Sequence, residues 1–275
     1  MPDETSPDAP DQQLPTALDS SVAHSARIWN YWLGGKDNYA VDREIGDQFR
    51  EIFPDIVDIA RSSRAFLSRA VRYMAGEAGI RQFLDIGTGL PTVDNTHQVA
   101  QRVAPDAHIV YVDNDPMVLA HARALLTGTP EGATEYIDSD LRDPEKIIEA
   151  ARGTLDFDRP IGLMLMNILG HIVDIEEGRS IVRRLLAEMP SGSYLAVADG
   201  TNVIRAKEFE EAIAIWNEAG SVPYILRSPE QIASYFEGLE LVEPGVVSCP
   251  LWRPEAAQLG TGREVDEFCA VGRKP

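Results

Sequence analysis

From residue 81 onward the chain repeats one unit: a short apolar run, a turn, and a stretch with helical spacing of its apolar residues. The runs read as strands at 82–86, 108–113, 134–138, 161–166 and 194–198, separated by helices near 95–103, 116–126, 144–151 and 175–189. Runs rich in Val, Ile, Leu and Met are buried on both faces, and strands joined through helices run parallel. The expected fold class is therefore α/β: a doubly wound, mostly parallel seven-stranded sheet with helices on both sides. A helical insert follows near 203–225, with Trp216 in its helix at 207–219. A further helix opens at Ser228, the cap, and Pro229, its first position. The last two strands, near 241–248 and 267–273, are close enough in sequence to predict an antiparallel hairpin at the sheet edge.

The first 80 residues have a different texture. The opening MPDETSPDAPDQQLP lacks Lys, Arg and an apolar core, so neither a signal nor a transit peptide is expected. Residues 1–20 are expected to be a disordered tail on a cytoplasmic protein. From 21 to 80 the spacing is helical without a strand: Val22, Ala26, Trp29 and Leu33 on a first helix capped by Ser20 or Ser21, then a second from Asp42 to Pro54 and a third through Ile59, Phe66 and Tyr73. This segment is expected to act as a helical lid on the domain at 81–275.

Net charge narrows the partners. With 44 acidic against 25 basic residues the formal charge is −19, a field that repels nucleic acid and anionic membranes. No apolar run reaches the roughly 20 residues of a membrane span. Cys249 and Cys269 have no metal-like spacing, and the Asp-x-Asp pairs at 113–115 and 138–140 do not continue into a calcium loop, so no metal is expected. The two cysteines read as small buried hydrophobes.

Chemistry concentrates where the strands end. Strand one closes in FLDIGTGLPT, with Gly87 and Gly89 letting backbone amides approach a ligand. Thr92 breaks G-x-G-x-x-G, and Asp85 would repel a pyrophosphate while suiting an ammonium or sulfonium, which disfavours an NAD-dependent oxidoreductase. Strand two ends at Asp113, placed to accept ribose hydroxyls, and strand three leads to Asp140 and Leu141, whose carboxylate and backbone amide suit an adenine. Each acid also has a structural reading: Asp85 orienting the glycine turn, Asp113 capping the next helix, Asp140 shaping a turn. Together, in register with Gly-x-Gly, they describe one crevice for an adenosine with a cationic tail.

DIGTGLPT, VYVDNDP and the Asp-Ser-Asp after strand three resemble motifs I, II and III of class I S-adenosylmethionine-dependent methyltransferases. RIWNYWLGGKDNYAVDRE and PLWRP further resemble an actinobacterial S-adenosyl methyltransferase family once catalogued as a domain of unknown function. The resemblance runs from about Ser21 to Lys274 and implies a Rossmann-like methyltransferase fold with S-adenosyl-L-methionine as cofactor. It implies that Asp85, Gly87, Thr88 and Gly89 hold the methionine end, Asp113 and Asn114 the ribose, and Asp140 and Leu141 the adenine. Asn167, in MLMNILGHI, would sit beside the methyl group, where Ile168 and Leu169 replace the Pro-Pro of some amine methyltransferases, so N-methylation of an amide or base by that motif is not supported.

The implied reaction is methyl transfer to a small-molecule acceptor, held between the lid and the insert, where Trp216 and Tyr224 line a pocket or anchor the insert. The alternative is a non-catalytic sensor binding the cofactor or its demethylated product. In-line displacement at carbon makes a general base optional. If there is one, His171 after strand four is the best placed; His97 and His121 fall in helices, and His24 lies near the aromatic stretch. That stretch, IWNYWLGGKDNYAVDRE, lacks the outer glycine and the Ser or Thr of a phosphate loop. Trp29 and Trp32 either dock the first helix or face ligand. Tyr31, Lys36, Asp37, Asn38 and Tyr39 are expected on a Gly-Gly hinge that closes over the crevice, with Lys36 or Tyr39 pairing the cofactor carboxylate.

Overall fold

The protein is described by a computed structural model over residues 21–125, 128–218, 222–255 and 262–275; the tail at 1–20, and with it Ser20, lies outside the described residues. Three helices come first: α1 (Ser25–Trp32), α2 (Ala40–Ile52) and α3 (Ile56–Gly76). Then β1 (Gln82–Ile86), α4 (Thr96–Val103), β2 (His108–Asp113), α5 (Pro116–Leu125), β3 (Ala133–Asp138), α6 (Pro144–Ala151), β4 (Gly162–Met166), α7 (Ile175–Ala187) and β5 (Tyr194–Gly200) alternate as the period implied. The chain ends through α8 (Ala206–Glu218), α9 (Pro229–Ser234), β6 (Glu240–Leu241), β7 (Val247–Ser248) and β8 (Glu267–Arg273).

The sheet order is β3-β2-β1-β4-β5-β8-β6, with β7 also on β8; β1 to β5 are parallel and the rest antiparallel. The α/β, mostly parallel class holds, with eight strands in place of seven. The expected 241–248 strand is split, because a turn closed by Gly245 N–H on Val242 O interrupts it, leaving two short pieces that both pair β8. Nor is β8 an edge: it lies between β5 on one side and the short pieces β6 and β7 on the other, and these two take the edge position of the expected hairpin.

Alternation along each strand builds two cores. Leu84, Val110, Leu163, Leu165, Leu195 and Val197 face one side, against α6, α7 and α9 residues such as Ile147, Leu185 and Ile232. Their neighbours Phe83, Ile109, Tyr111, Met164 and Ala196 face the other, against Phe66, Leu67, Ala70 and Met74 of α3 and Val99 of α4. So α3, expected in the lid, is a layer of the sheet's own core. Arg69 fixes it further, donating to the carbonyls of Trp252 at 2.8 Å and Cys249 at 2.7 Å.

The remaining N-terminal helices form a third core with α8. Ile28 and Trp32 of α1 pack with Phe49 of α2 and with Phe209 and Trp216 of α8. Trp216 is thereby an anchor, and so is Tyr224, whose hydroxyl bonds Asp199 and accepts from Gly200 N–H. α1 begins at Ser25, with His24 as its cap through Nδ1 and Ala26 N–H, not at Ser21. α1 is held by one carboxylate: Asp42, fully buried, accepts from Arg27 Nε, His24 N–H and Tyr39 N–H within 3.0 Å. Cys249 and Cys269 are both fully buried and free.

Candidate active site

The strand order reverses direction between β1 and β4, and a crevice opens beyond the carboxyl ends of strands at such a switch point. A cleft of about 180 Å³ lies there. Asp85, Gly87, Thr88, Gly89, Asp113, Asn114, Asp140, Leu141 and Asn167 all line it, as does His171. Four separate strand ends thus bring these nine expected residues together, because parallel strands expose the same edge.

The glycine turn has a steric cause. Gly87 has φ +75°, and a Cβ there would stand 2.6 Å from Ile168 Cγ1, so only glycine lets β1 turn beneath the β4 loop. Behind the turn Asp85 accepts from Thr96 Oγ1 at 2.5 Å. Burial outweighs that bond and the nearby Arg64 charge, raising the Asp85 carboxyl to about 6. Asp113 uses one oxygen for Gly89 N–H and the other for Asp115 N–H, each at 3.0 Å. It therefore ties the glycine turn to the start of α5. A carboxylate has about four acceptor positions, so two are left for hydroxyl donors. Asp140 accepts from Arg142 N–H at 2.8 Å, and Ser139 Oγ beside it is buried without a partner.

The segment carrying the lid expectation contributes a different set of side chains. Ser25, Ala26, Trp29 and Asn30, one face of α1, cover the cleft together with the flanking His24 and Leu33. Tyr31, Lys36, Asp37, Asn38 and Tyr39 are absent from its lining. Tyr31 points outward to donate to Asp47 Oδ1, Lys36 is exposed, and Arg27 lies 5.1 Å from the Tyr39 ring centre. The reason is Asn30: its Oδ1 accepts from Asp37 N–H at 3.1 Å and from Asn38 Nδ2 at 3.0 Å, wrapping the turn around the end of α1. Gly35 fits that wrap because a Cβ would meet the Asn30 side chain at 2.4 Å. The Gly-Gly pair closes the helix instead of hinging a rim.

Several residues escaped the sequence reading. Arg64 and Ser63 of α3 line the cleft. Arg64 Nε is buried without a partner, while Nη2 donates to the carbonyls of Val93 and Asp94. Glu267 of β8 accepts from Asn167 Nδ2 at 2.8 Å, and Asp199 ends β5 nearby; both are fully buried. Burial holds the Glu267 carboxyl up at about 8 and Asp199 at about 7. A signal existed: Ser63 and Arg64 interrupt an otherwise apolar stripe of α3, and Asp199 terminates a buried strand as Asp85 and Asp113 do.

The S-adenosyl methyltransferase family model matches residues 11–275. The chain belongs to that family. Two solved structures agree over nearly their full lengths. A DUF574 family protein from Streptomyces avermitilis is 45% identical, with a TM-score of 0.90 over 94% of this chain and 99% of that one. A protein of Thermobifida fusca described as a candidate methyltransferase is 39% identical, with a TM-score of 0.84 over 96% and 99%. A SAM-dependent methyltransferase from Anabaena variabilis, 13% identical with a TM-score of 0.50, shares the fold alone. No curated protein matches.

This S-adenosyl methyltransferase family member is accordingly a SAM-dependent methyltransferase. Its cleft chemistry suits the cofactor, with a buried acid for a cation, a glycine cradle, and unpartnered donors at Arg64 and Ser139. Among the described residues no group of three or more His, Cys, Asp or Glu side chains is arranged to hold a metal, and no helix is long and apolar enough to cross a membrane.

Proposed function

We propose that the protein methylates a small organic acceptor bound between α1 and the Val222 segment, against cofactor held by β1 to β4. The observation that carries this reading is the cleft itself. Its polar strand-end residues are continued by an apolar group, Trp29, Leu33, Met166, Ile172 and Val222, which gives an acceptor somewhere to sit. A pure sensor has no use for that apolar extension, and the acidic field disfavours a nucleic-acid acceptor.

Bound there, S-adenosylmethionine supplies an electrophilic methyl group on a sulfonium whose departure leaves a neutral thioether. Asp85 would hold the methionine ammonium, Asp113 and Asn114 the ribose, and Asp140 with Leu141 the adenine. Arg64 replaces Lys36 and Tyr39 as partner of the carboxylate, since it lines the cleft with an uncommitted Nε. His171 is the candidate base. Its Nδ1 lies 2.9 Å from Pro223 O, and a carbonyl only accepts, so the proton sits on Nδ1 and the lone pair on Nε2. Burial lowers its pKa, which keeps the ring neutral.

Two measurements test the assignment. Asp113→Ala is expected to weaken S-adenosylhomocysteine binding by about 1–3 kcal/mol in calorimetry; unchanged affinity places the ribose elsewhere. Arg64→Gln is expected to cost about 1–2 kcal/mol for the same ligand but nothing for 5′-methylthioadenosine, which has no carboxylate. Equal losses for both ligands would show that Arg64 only shapes the cleft. Tight NAD binding with none of S-adenosylmethionine would sink the whole reading.

A further inference from the structure

Asn167 is held more firmly than a residue at a strand tip needs to be. It adopts φ +55°, in the left-handed region, and its backbone N–H donates to Ala198 O at 2.8 Å. Both hydrogens of its side-chain amide are committed, one to Ser63 Oγ and one to Glu267 Oε1, each at 2.8 Å. The amide nitrogen is thus turned to α3 and β8, and the carbonyl oxygen away from them. What remains is Asn167 Oδ1, on a residue that lines the cleft between Met166 and Ile168.

We propose that Asn167 Oδ1 receives a hydrogen from the methyl acceptor, so that the substrate is an apolar or aromatic molecule bearing a hydroxyl or an amine N–H. This rests on reading the cleft as a methyl-transfer site. An amide fixed through its nitrogen offers only an acceptor, and a carbonyl oxygen among apolar neighbours gains most from a ligand that donates. A ketone, ester or carboxylate would set lone pair against lone pair and is rejected. Trp29, Leu33, Ile172 and Val222 supply the apolar surroundings. Ser63 and Glu267 are positioning residues, brought from α3 and β8 to fix the amide's orientation.

The test uses the full chain saturated with S-adenosylhomocysteine and four probes of nearly equal shape: phenol, aniline, toluene and benzaldehyde, titrated by NMR. Phenol and aniline are expected to bind about three- to tenfold tighter than toluene or benzaldehyde, the worth of one net hydrogen bond. Asn167→Ala should erase that preference while S-adenosylhomocysteine affinity stays within about threefold, a change too small for a lost direct bond. Glu267→Gln, which keeps the accepting carbonyl, should retain the preference, and Glu267→Leu should reduce it. Equal binding of all four probes to the parent protein overturns the proposal without any variant. So does a collapse of S-adenosylhomocysteine affinity in Asn167→Ala, which would hand the residue to the cofactor ammonium. Failure of the parent to bind S-adenosylhomocysteine is a distinct result that removes the methyltransferase reading and this proposal with it.

Discussion

Asp42→Ala is expected to destabilise the protein by about 3–5 kcal/mol, read from urea or thermal unfolding. The substitution leaves Arg27, 4% exposed, without its buried carboxylate partner, which lies 2.8 Å away. It also strips acceptors from His24 N–H and Tyr39 N–H, the first at the start of α1 and the second at the start of α2. Because one face of α1 covers the cleft, cofactor affinity should fall with stability. Arg27→Met in the same background should recover much of the stability, since the buried charge that lost Asp42 is then gone. A loss below about 1 kcal/mol, the range of exposed ion pairs, would show that the pair is hydrated and not the anchor of α1.

The second large effect is set by pH. Glu267 and Asp199 are fully buried, and burial holds their carboxyls at about 8 and about 7, well above ordinary carboxylic acids. Below about pH 4 folded and unfolded chains both keep these protons, so the acids exert no penalty. As pH rises through the interval up to about 8, the unfolded chain releases protons that the native state retains, and stability falls. Glu267→Gln removes its share of that dependence. Variant and parent should be similar near pH 5, and the variant should become more stable by on the order of 3 kcal/mol near pH 8.5. Comparing the two cancels the opposite contribution of His97 and His171, whose burial lowers their pKa values. A constant difference across the range would mean that Glu267 is already ionised in the native state.

The repeating part of the fold was legible because parallel strands and their helices write their periods locally. Bounds for β1 and β2 coincide with the runs in the sequence, and Ser228 and Pro229 begin α9 as their chemistry requires. The C-terminal strands were read less well, since pairing order is a non-local property: β8 inserts beside β5, and no local pattern says so. The same division runs through the cleft. Asp85, Asp113 and Asp140 stand at strand ends, where position alone implies exposure to a ligand. Arg64 and Glu267 reach the site only through packing of α3 and β8 on the sheet, and the wrap of 34–39 around Asn30 depends on contacts that composition does not reveal.

The placement of β8 also bears on how the molecule is made. Asn167 is oriented from both directions along the chain, by Ser63, 104 residues earlier, and by Glu267, 100 residues later. Arg69 on α3 likewise waits for carbonyls about 180 residues downstream. Contacts of such separation close large loops and form late. As the chain leaves a ribosome, β1 to β5 can assemble while the amide at the tip of β4 still lacks its second anchor. On the proposed reading, the strand ends assigned to the cofactor are therefore complete in the sequence before the residue that fixes the amide assigned to the acceptor.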